Sequence, residues 1–103
     1  MSFYLTNKAK SDLKNIAKYT QEVWGKDQRN IYLDNIDAVF HRISEPSHKG
    51  KSCDYIRSGY CKYHIQKHII FYRKINKSEV QITRILHEKM DFSDHLSHRF
   101  SLN

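Results

Sequence analysis

The sequence predicts an α+β domain in which a hairpin of two helices packs on one face of an antiparallel sheet. Two observations lead to this prediction. Apolar residues recur at three- and four-residue steps up to residue 43, and β-prone segments of alternating polarity follow the single proline, Pro46. A chain of 103 residues has room for one domain with one modest core. The helices must cover one sheet face, because nothing else buries their apolar stripes, and the opposite face is expected to be open.

The first helix follows a short β-prone stretch at residues 3–6. Thr6 or Asn7 is suited to cap it, because a short polar side chain accepts a hydrogen bond from the unpaired N–H groups of the first turn. Gly25 supplies the left-handed residue that ends such a helix. The apolar stripe predicted for this helix consists of Ala9, Leu13, Ile16, Ala17, Thr20 and Trp24.

The second helix is predicted to begin near Asp27 and to stop at Pro46. Each helix is about 25 Å long at ~1.5 Å per residue, and the short link forces the two into an antiparallel hairpin. The residues predicted to be buried on the second helix are Tyr32, Leu33, Ile36, Val39, Phe40 and Ile43.

A meander of strands is predicted after a polar loop at residues 47–54. The segments are 55–57, 60–65, 68–75 and 79–87, with turns at 58–59 and 76–78. Ile85 breaks the alternation begun by Val80 and Ile82, which predicts either a bulge or a sheet covered in part on both faces. The domain is expected to span residues 1–92, and residues 93–103 are expected to form a flexible tail. The predicted core consists of Ala9, Leu13, Ile16, Trp24, Ile36, Val39, Phe40, Phe71, Val80 and Ile82.

The excess positive charge is confined to one third of the chain. Residues 46–78 carry eight Lys or Arg and one acid, which gives 8 − 1 = +7, while the remaining residues carry ten basic and ten acidic side chains, which gives zero. A localised basic surface indicates an acidic partner, either a nucleic acid or an acidic protein segment. The alternative is a solvated basic face that keeps the protein soluble.

Cys53 and Cys61 are the only cysteines, and none of the seven histidines stands at a zinc-like spacing with them. Free thiols, no metal and no cofactor are therefore expected. No apolar run has the length of a bilayer span, and the N-terminal residues lack the layout of a secretory signal. A cytoplasmic location without membrane contact is the expectation.

A series of short sequence strings is spaced along the chain in the order of a known protein family. The strings are Trp24-Gly25, Arg29, Tyr32, Gly50-Lys51-Ser52, Ile56-Arg57, Gly59, His68, Ile70-Phe71-Tyr72, Arg84-Ile85-Leu86-His87 and Met90-Asp91. Over residues 3–92 this series resembles the ParE branch of the ParE/RelE toxin superfamily, which has a β-α-α-β-β-β fold. Two departures bear on potency more than on fold. Tyr60-Cys61 stands where the family usually has a basic residue, and Gln66-Lys67 stands in a turn that often contains glycine.

Resemblance to ParE implies the toxin of a type II toxin–antitoxin system, which stabilises a plasmid or genome. Such a toxin inhibits bacterial growth by poisoning DNA gyrase and is not an enzyme. A cognate ParD-like antitoxin with an acidic C-terminal segment neutralises it, so a toxin–antitoxin hetero-oligomer is expected. DNA would be contacted only indirectly, through gyrase or the antitoxin.

Resemblance to the RelE branch would instead imply a ribosome-dependent mRNA endonuclease. For that chemistry the sequence offers Arg57 and Arg84 as phosphate clamps, His87 as acid or base, and Tyr72 as a stacking platform. The run His87-Glu88-Lys89-Met90-Asp91 places two acids where RNA would pass, which favours the inhibitor. A weakly toxic relic that only binds its antitoxin is a third interpretation.

Two sets of residues are predicted to act in the inhibitor. The set expected to bind the target and cause toxicity lies at the open rim of the sheet and consists of Arg57, Arg84, Met90, Asp91 and Phe92. The set expected to bind the antitoxin lies on one basic surface and consists of Lys62, Arg73 and Lys74. A mixture of basic and aromatic residues suits an acidic, amphipathic segment that folds as it binds.

Overall fold

The two helices form a hairpin across one face of a mixed sheet. The computed structural model describes residues 2–48, 50–52 and 59–89, and only the backbone of residues 51 and 52. The described elements are, in chain order, β1 (Ser2–Leu5), α1 (Asn7–Trp24), α2 (Lys26–Ile43), β2 (Lys51–Ser52), β3 (Cys61–Ile65), β4 (His68–Asn76) and β5 (Glu79–His87). Their strand order is β1-β5-β4-β3-β2. The predicted α+β architecture is confirmed.

The sheet is antiparallel from β2 to β5, as predicted, but β1 pairs with β5 in parallel. Parallel neighbours need a long crossover connection, and here the helical hairpin and the other strands supply it. The two-residue strand β2 lies inside the segment predicted as loop, where Lys51 pairs with Lys62. The predicted strand at residues 55–57, Cys53 and the predicted tail at residues 93–103 lie outside the described residues.

The first helix begins and ends where its sequence signals predict. Thr6 is the N-cap, and its Oγ1 accepts a hydrogen bond from the Ala9 N–H at 3.1 Å. The same hydroxyl donates to the Thr83 carbonyl oxygen at 2.8 Å, so the cap also fixes the start of α1 to β5. Gly25 ends the helix with φ 94°, in the region that favours glycine, and this one residue joins α1 to α2. The hairpin therefore has very little freedom at its tip.

The core lies between the hairpin and one face of the sheet. Its buried members are Ala9, Ile16, Tyr32, Ile36, Val39, Phe40, Ile43, Ile70, Tyr72, Val80, Ile82 and Ile85. Leu13, another predicted member, is partly buried against them. The prediction for Trp24 is wrong, because its side chain is 69% exposed at the last residue of α1, where the apolar stripe continues past the part that the sheet covers.

The opposite face of the sheet is buried in part, so the prediction of an open face is wrong there, although Arg73 on the same face is exposed. Ile69, Phe71 and Leu86 are 7%, 0% and 1% exposed and lie outside the hairpin core. A bulge shifts the register, because Phe71 pairs with Arg84 while the next residue, Tyr72, pairs with Ile82. The break in alternation at Ile85 therefore has both of the predicted causes, a bulge and a sheet that is covered in part on both faces. Phe71 was predicted in the hairpin core, but it contributes to this second face.

Candidate functional site

A groove of about 950 Å³ opens between α1, the start of α2, the β3–β4 turn and the end of β5. Its lining residues are Asp12, Asn15, Ile16, Tyr19, Thr20, Trp24, Gln28, Tyr32, Gln66, Lys67, His68, Ile85, His87 and Lys89. Tyr19 and Trp24 stand in its wall with 63% and 69% of their surface exposed. Exposed aromatic rings beside an apolar groove are typical of protein-binding surfaces. The groove is therefore the best-formed candidate site in the described part of the chain.

A tyrosine and two histidines line the groove where the start of β4 meets the end of β5. Tyr32 Oη lies 2.7 Å from His68 Nδ1, and the rings of His68 and His87 pack edge to face with their centroids 5.4 Å apart. Strand pairing brings the two histidines together, since His68 is directly opposite His87 in the register. These three side chains form the groove's polar cluster.

Burial shifts the acid–base properties of this cluster. Desolvation, with a smaller contribution from the charge of Glu88, raises the pKa of Tyr32 to about 12, so its hydroxyl stays protonated at neutral pH. Desolvation and the neighbouring His87 lower the pKa of His68, while Glu88 and Asp12 oppose that shift. His68 is therefore neutral near pH 7. Tyr32 and His68 can therefore share a hydrogen bond at neutral pH without either side chain carrying a charge.

A buried ion pair fixes α1 to β5 beside the groove. Arg84 donates from Nε to Asp12 Oδ2 at 2.7 Å and from Nη2 to Asp12 Oδ1 at 2.9 Å. The Ile85 N–H also donates to Asp12 Oδ2 at 3.0 Å. The two charged side chains are only 10% and 13% exposed. The prediction that Arg84 lies at an open rim is therefore wrong, because the bulge in β5 directs it into this pair.

The turn between β3 and β4 is tied to the residue that follows β5. The Glu88 N–H donates to the Lys67 carbonyl oxygen at 2.9 Å, and Glu88 Oε1 lies 3.0 Å from His64 Nε2. Gln66 adopts φ 50°, a left-handed conformation that favours glycine. Glu88 was predicted to repel RNA, and its observed role is to hold one end of the groove together.

The three residues predicted to bind the antitoxin do not share one surface. Lys62 pairs with Phe71, and Arg73 pairs with Gln81, so both lie on the sheet face away from the helices. Lys74 lies on the helix side, where its Nζ donates to the His48 carbonyl oxygen. The prediction of a single basic surface is wrong for Lys74, because adjacent strand residues point to opposite faces.

The residues proposed for RNA cleavage are not brought together in the described structure. Tyr72 is fully buried in the core and has no face open to a base. A Cβ atom at Gly50 would lie 1.8 Å from the Tyr72 hydroxyl oxygen, so the Gly50 backbone closes over that side chain. Arg84 is bound to Asp12, while His87 lines the groove. Arg57, the fourth residue, lies outside the described residues, as do Met90, Asp91 and Phe92.

The described residues contain neither a metal-binding cluster nor a helix that could span a membrane. Nowhere in residues 2–48, 50–52 and 59–89 do three or more His, Cys, Asp or Glu side chains group so as to hold a metal ion. No helix within the same ranges is long and apolar enough to cross a membrane.

Sequence reasoning missed the groove and its polar cluster. Tyr32 was predicted to be buried on the second helix, and both Tyr32 and His68 were among the strings of the resemblance, but the two were not predicted to lie together. The available signal was the register of the strand hairpin. His68 begins β4 and His87 ends β5, and the short turn that joins these strands places the two residues opposite each other. Trp24 gave a second signal, since a large aromatic residue at the last position of a helix has little sheet beneath it.

The fold and the groove together define a class of protein, a small basic α+β domain with a partly apolar groove bordered by exposed aromatic side chains. Comparison with known proteins gives the family. Residues 3–92 match the family model described as "ParE toxin of type II toxin-antitoxin system, parDE". The chain belongs to the ParE toxin family of type II toxin–antitoxin systems.

Individual relatives agree with this assignment. The chain is 32% identical to "Toxin ParE1" of Mycobacterium tuberculosis and also 32% identical to "Toxin ParE1" of Caulobacter vibrioides, in each case over 91% of this chain and 96% of the relative. It is 24% identical to "Toxin ParE" of Escherichia coli over 95% of both chains. A solved structure described as "Chromosomal ParDE TA system from P. aeruginosa" has the same fold, with a TM-score of 0.63 and 20% identity over 84% of this chain and 95% of that one.

Proposed function

We propose that this toxin poisons DNA gyrase as a protein inhibitor, without enzymatic activity, and that a ParD-like antitoxin neutralises it in the cytoplasm. Membership of the ParE family supports a growth-inhibiting toxin with an antitoxin partner. The observation that most favours an inhibitor is the placement of the residues that an RNA-cutting enzyme would use. Tyr72 is sealed in the core, and Arg84 is neutralised by Asp12, so neither can hold or stack on RNA.

The target-binding residues of this proposal are Arg57, Met90, Asp91 and Phe92. Three of them follow directly after Lys89, which lines the groove. Arg84 is proposed to support toxicity indirectly, because its ion pair with Asp12 holds α1 against β5. Substitution of Arg84 should therefore reduce folded toxin rather than remove a gyrase contact.

Antitoxin binding is proposed to use two surfaces. An acidic segment would cross the basic face that bears Lys62 and Arg73, and its apolar residues would enter the groove beside Tyr19 and Trp24. Positive charge confined to one segment supports the first contact, and exposed aromatic rings support the second. Lys74, on the other side of the sheet, is proposed to contribute only through long-range attraction.

The experiment that tests this function compares two targets in parallel. Purified toxin should inhibit gyrase supercoiling and trap gyrase on cleaved DNA, and cells expressing it should form filaments with a DNA-damage response. Primer extension on ribosome-bound mRNA should find no new cuts. Intact gyrase activity together with codon-phased mRNA cleavage would contradict the proposal.

The second candidate function is a ribosome-dependent endonuclease of the RelE kind. One observation favours it, namely that His87 stands beside His68 in an accessible groove that Lys67 and Lys89 also line. A histidine pair with nearby cations is suited to general acid–base chemistry on a phosphodiester. If this function applied, His87→Ala would abolish mRNA cleavage without a matching loss of stability.

A further inference from the structure

The end of β5 has an edge that no described strand covers. β1 pairs with β5 only from Glu79 to Ile82, on the side opposite β4. Beyond that point the Ile85 N–H donates to Asp12 Oδ2 at 3.0 Å, so a side chain of α1 takes the place that the carbonyl oxygen of a neighbouring strand would have. Within residues 2–48, 50–52 and 59–89, the edge past this bond has no such substitute.

The register with β4 determines which backbone groups of β5 point to this edge. His68 is opposite His87, and the next N–H along the chain, that of Glu88, donates to the Lys67 carbonyl oxygen at 2.9 Å. In an antiparallel ladder this bond marks His68 and His87 as a non-hydrogen-bonded pair, whose own N–H and C=O groups point away from the partner strand. The His87 N–H and C=O, and the Ile85 C=O two residues earlier, therefore point outward from β5.

These outward groups have the pattern with which a strand binds its neighbour. The Ile85 C=O, the His87 N–H and the His87 C=O follow one another along the edge, and none has a hydrogen-bond partner in the described parts of the chain. A short added strand would satisfy them through its own backbone, as in other complexes in which a peptide extends an exposed sheet edge. The end of β5 can therefore accept one more strand, on the same side as β1.

The groove lies beside this edge and would receive side chains of the added strand. Ile85, His87 and Lys89 all line the groove, and residues of α1 form one of its walls. Side chains of a strand alternate between the two faces of a sheet, so every second residue of the added strand would point towards the helices. Tyr19 and Trp24 are exposed aromatic residues in that wall. An extended segment with apolar residues at alternate positions therefore fits both the edge and the groove.

The charges at this place favour an acidic segment of another protein over a second copy of the chain. Lys67 and Lys89 line the groove, and Asp12, the one carboxylate among the described lining residues, is already bound to Arg84. The chain has a net charge of +7, so two copies would repel each other. A segment that carries acids beside its apolar residues would instead be attracted.

We propose that an extended, acidic segment of the antitoxin binds to the open edge of β5 as an additional strand. Its backbone bonds to Ile85 and His87, and its alternate apolar side chains enter the groove. The segment binds as a strand and not as a helix, because the backbone groups inside a helix are already bonded to each other and cannot pair with an edge. This inference rests on the proposed function, which supplies the antitoxin as the occupant.

Amide-resolved hydrogen exchange tests this pairing on the full-length chain, both free and bound to its co-purified antitoxin. In the free chain the His87 N–H should exchange rapidly, while the Leu86 N–H, which points towards β4, should be protected. In the complex the exchange of His87 should slow by at least ~10-fold, because its N–H joins a ladder. The matched control is the Leu5 N–H, which points away from β5 because the N–H of the next residue, Thr6, donates to that strand. Exchange of Leu5 should not change.

A pair of substitutions separates the backbone of His87 from its side chain. His87→Pro removes the outward N–H and places a ring at the edge, where proline is tolerated because the N–H of an edge strand faces outward. His87→Ala removes the same side chain and keeps the N–H. Calorimetry should show that His87→Pro binds the antitoxin at least ~10-fold more weakly than His87→Ala. Equal melting temperatures of the two free variants would assign this difference to binding, and if His87→Pro does not fold, hydrogen exchange decides.

Three results would overturn the inference while leaving the antitoxin partnership intact. The first is a complex in which His87 exchanges as fast as in the free chain and the two variants bind equally, as expected for a helix in the groove. The second is protection of Leu5 instead of His87, which would place the added strand on β1. The third is slow exchange of His87 in the free chain, which would mean that the edge is already paired. An antitoxin that does not bind at all would instead overturn the proposed function.

Discussion

Removal of the Arg84 guanidinium should be among the most destabilising single changes outside the apolar core. Arg84 and Asp12 are joined by two short hydrogen bonds and are 10% and 13% exposed, so water cannot replace either partner. Within the described part of the chain, Arg84→Ala leaves the Asp12 carboxylate with only the Ile85 N–H, inside a poorly solvated site. Breaking a buried pair in this way costs about 3–5 kcal/mol, a large share of the ~5–15 kcal/mol that stabilises a domain.

Chemical denaturation measures this loss directly. With a urea m-value of about 2 kcal/mol/M, the midpoint of unfolding should fall by roughly 1.5–2.5 M. Arg73→Ala is the matched control, because Arg73 is an exposed arginine on the same strand pair. Among the described residues its side chain bonds only to Gln81, so its loss should be below ~1 kcal/mol. The double variant with Asp12→Ala should lose less than the sum of the two single losses.

A small effect would refute the reasoning. If Arg84→Ala lost less than ~1 kcal/mol, the ion pair would not hold α1 against β5, and Arg84 would again be a candidate for direct contact with gyrase. Normal stability together with lost toxicity would have the same meaning. Normal antitoxin binding by a destabilised variant would agree with a purely structural role.

Three further predictions concern the core and the basic face. Ile36→Ala should lower the free energy of unfolding by about 2–5 kcal/mol, since Ile36 is fully buried, and an unchanged denaturant midpoint would contradict the packing. Gly50→Ala should lower the melting temperature, because the added Cβ would overlap the Tyr72 hydroxyl. An unchanged melting temperature would show that the loop can move to accommodate the Cβ. Charge reversal of both Lys62 and Arg73 should weaken antitoxin binding several-fold at low salt and less at high salt. If the affinity changed neither with the charge reversal nor with salt, this face would not be part of the antitoxin-binding surface.

The sequence predicted the helices well because their signals are local. The Thr6 cap, Gly25 and the apolar spacing act within a few residues, and the observed bounds of α1 and α2 follow them. The antiparallel meander of β3, β4 and β5 was also predictable from composition and turns. In contrast, the parallel pairing of β1 and the burial of the second sheet face depend on contacts between distant segments, which periodicity does not encode.

The candidate site was harder to predict for the same reason. Arg84 has the sequence features of a surface arginine, and only the bulge between Phe71 and Tyr72, together with Asp12 on another element, buries it. His68 and His87 are separated in sequence and meet through strand register. The sequence shows where a single charged or aromatic residue stands, but which two residues meet in an ion pair or a ring contact depends on the fold.

The position of the groove suggests how an antitoxin would neutralise this toxin. Lys89 lines the groove, and Met90 to Phe92, the proposed gyrase-binding residues, follow it in the chain. Consecutive Cα atoms are about 3.8 Å apart, so the chain keeps these three residues within roughly 12 Å of Lys89 in the groove lining. Occupation of the groove should therefore hinder their access to gyrase, even if antitoxin and gyrase share no contact residue.

Antitoxin binding and gyrase inhibition are proposed to use different residues, and Trp24→Ala tests whether the two can be separated. Trp24 is 69% exposed in the groove wall, so its removal should leave folding and gyrase inhibition unchanged. An aromatic anchor at a protein interface contributes about 2 kcal/mol or more, so antitoxin affinity should fall by roughly 30-fold. In cells, the same antitoxin dose should then fail to protect. Ile31→Ala, at an apolar residue of α2 that is 53% exposed and lies outside the groove lining, should retain full neutralisation. If Trp24→Ala lost gyrase inhibition but bound antitoxin normally, the groove would belong to gyrase instead.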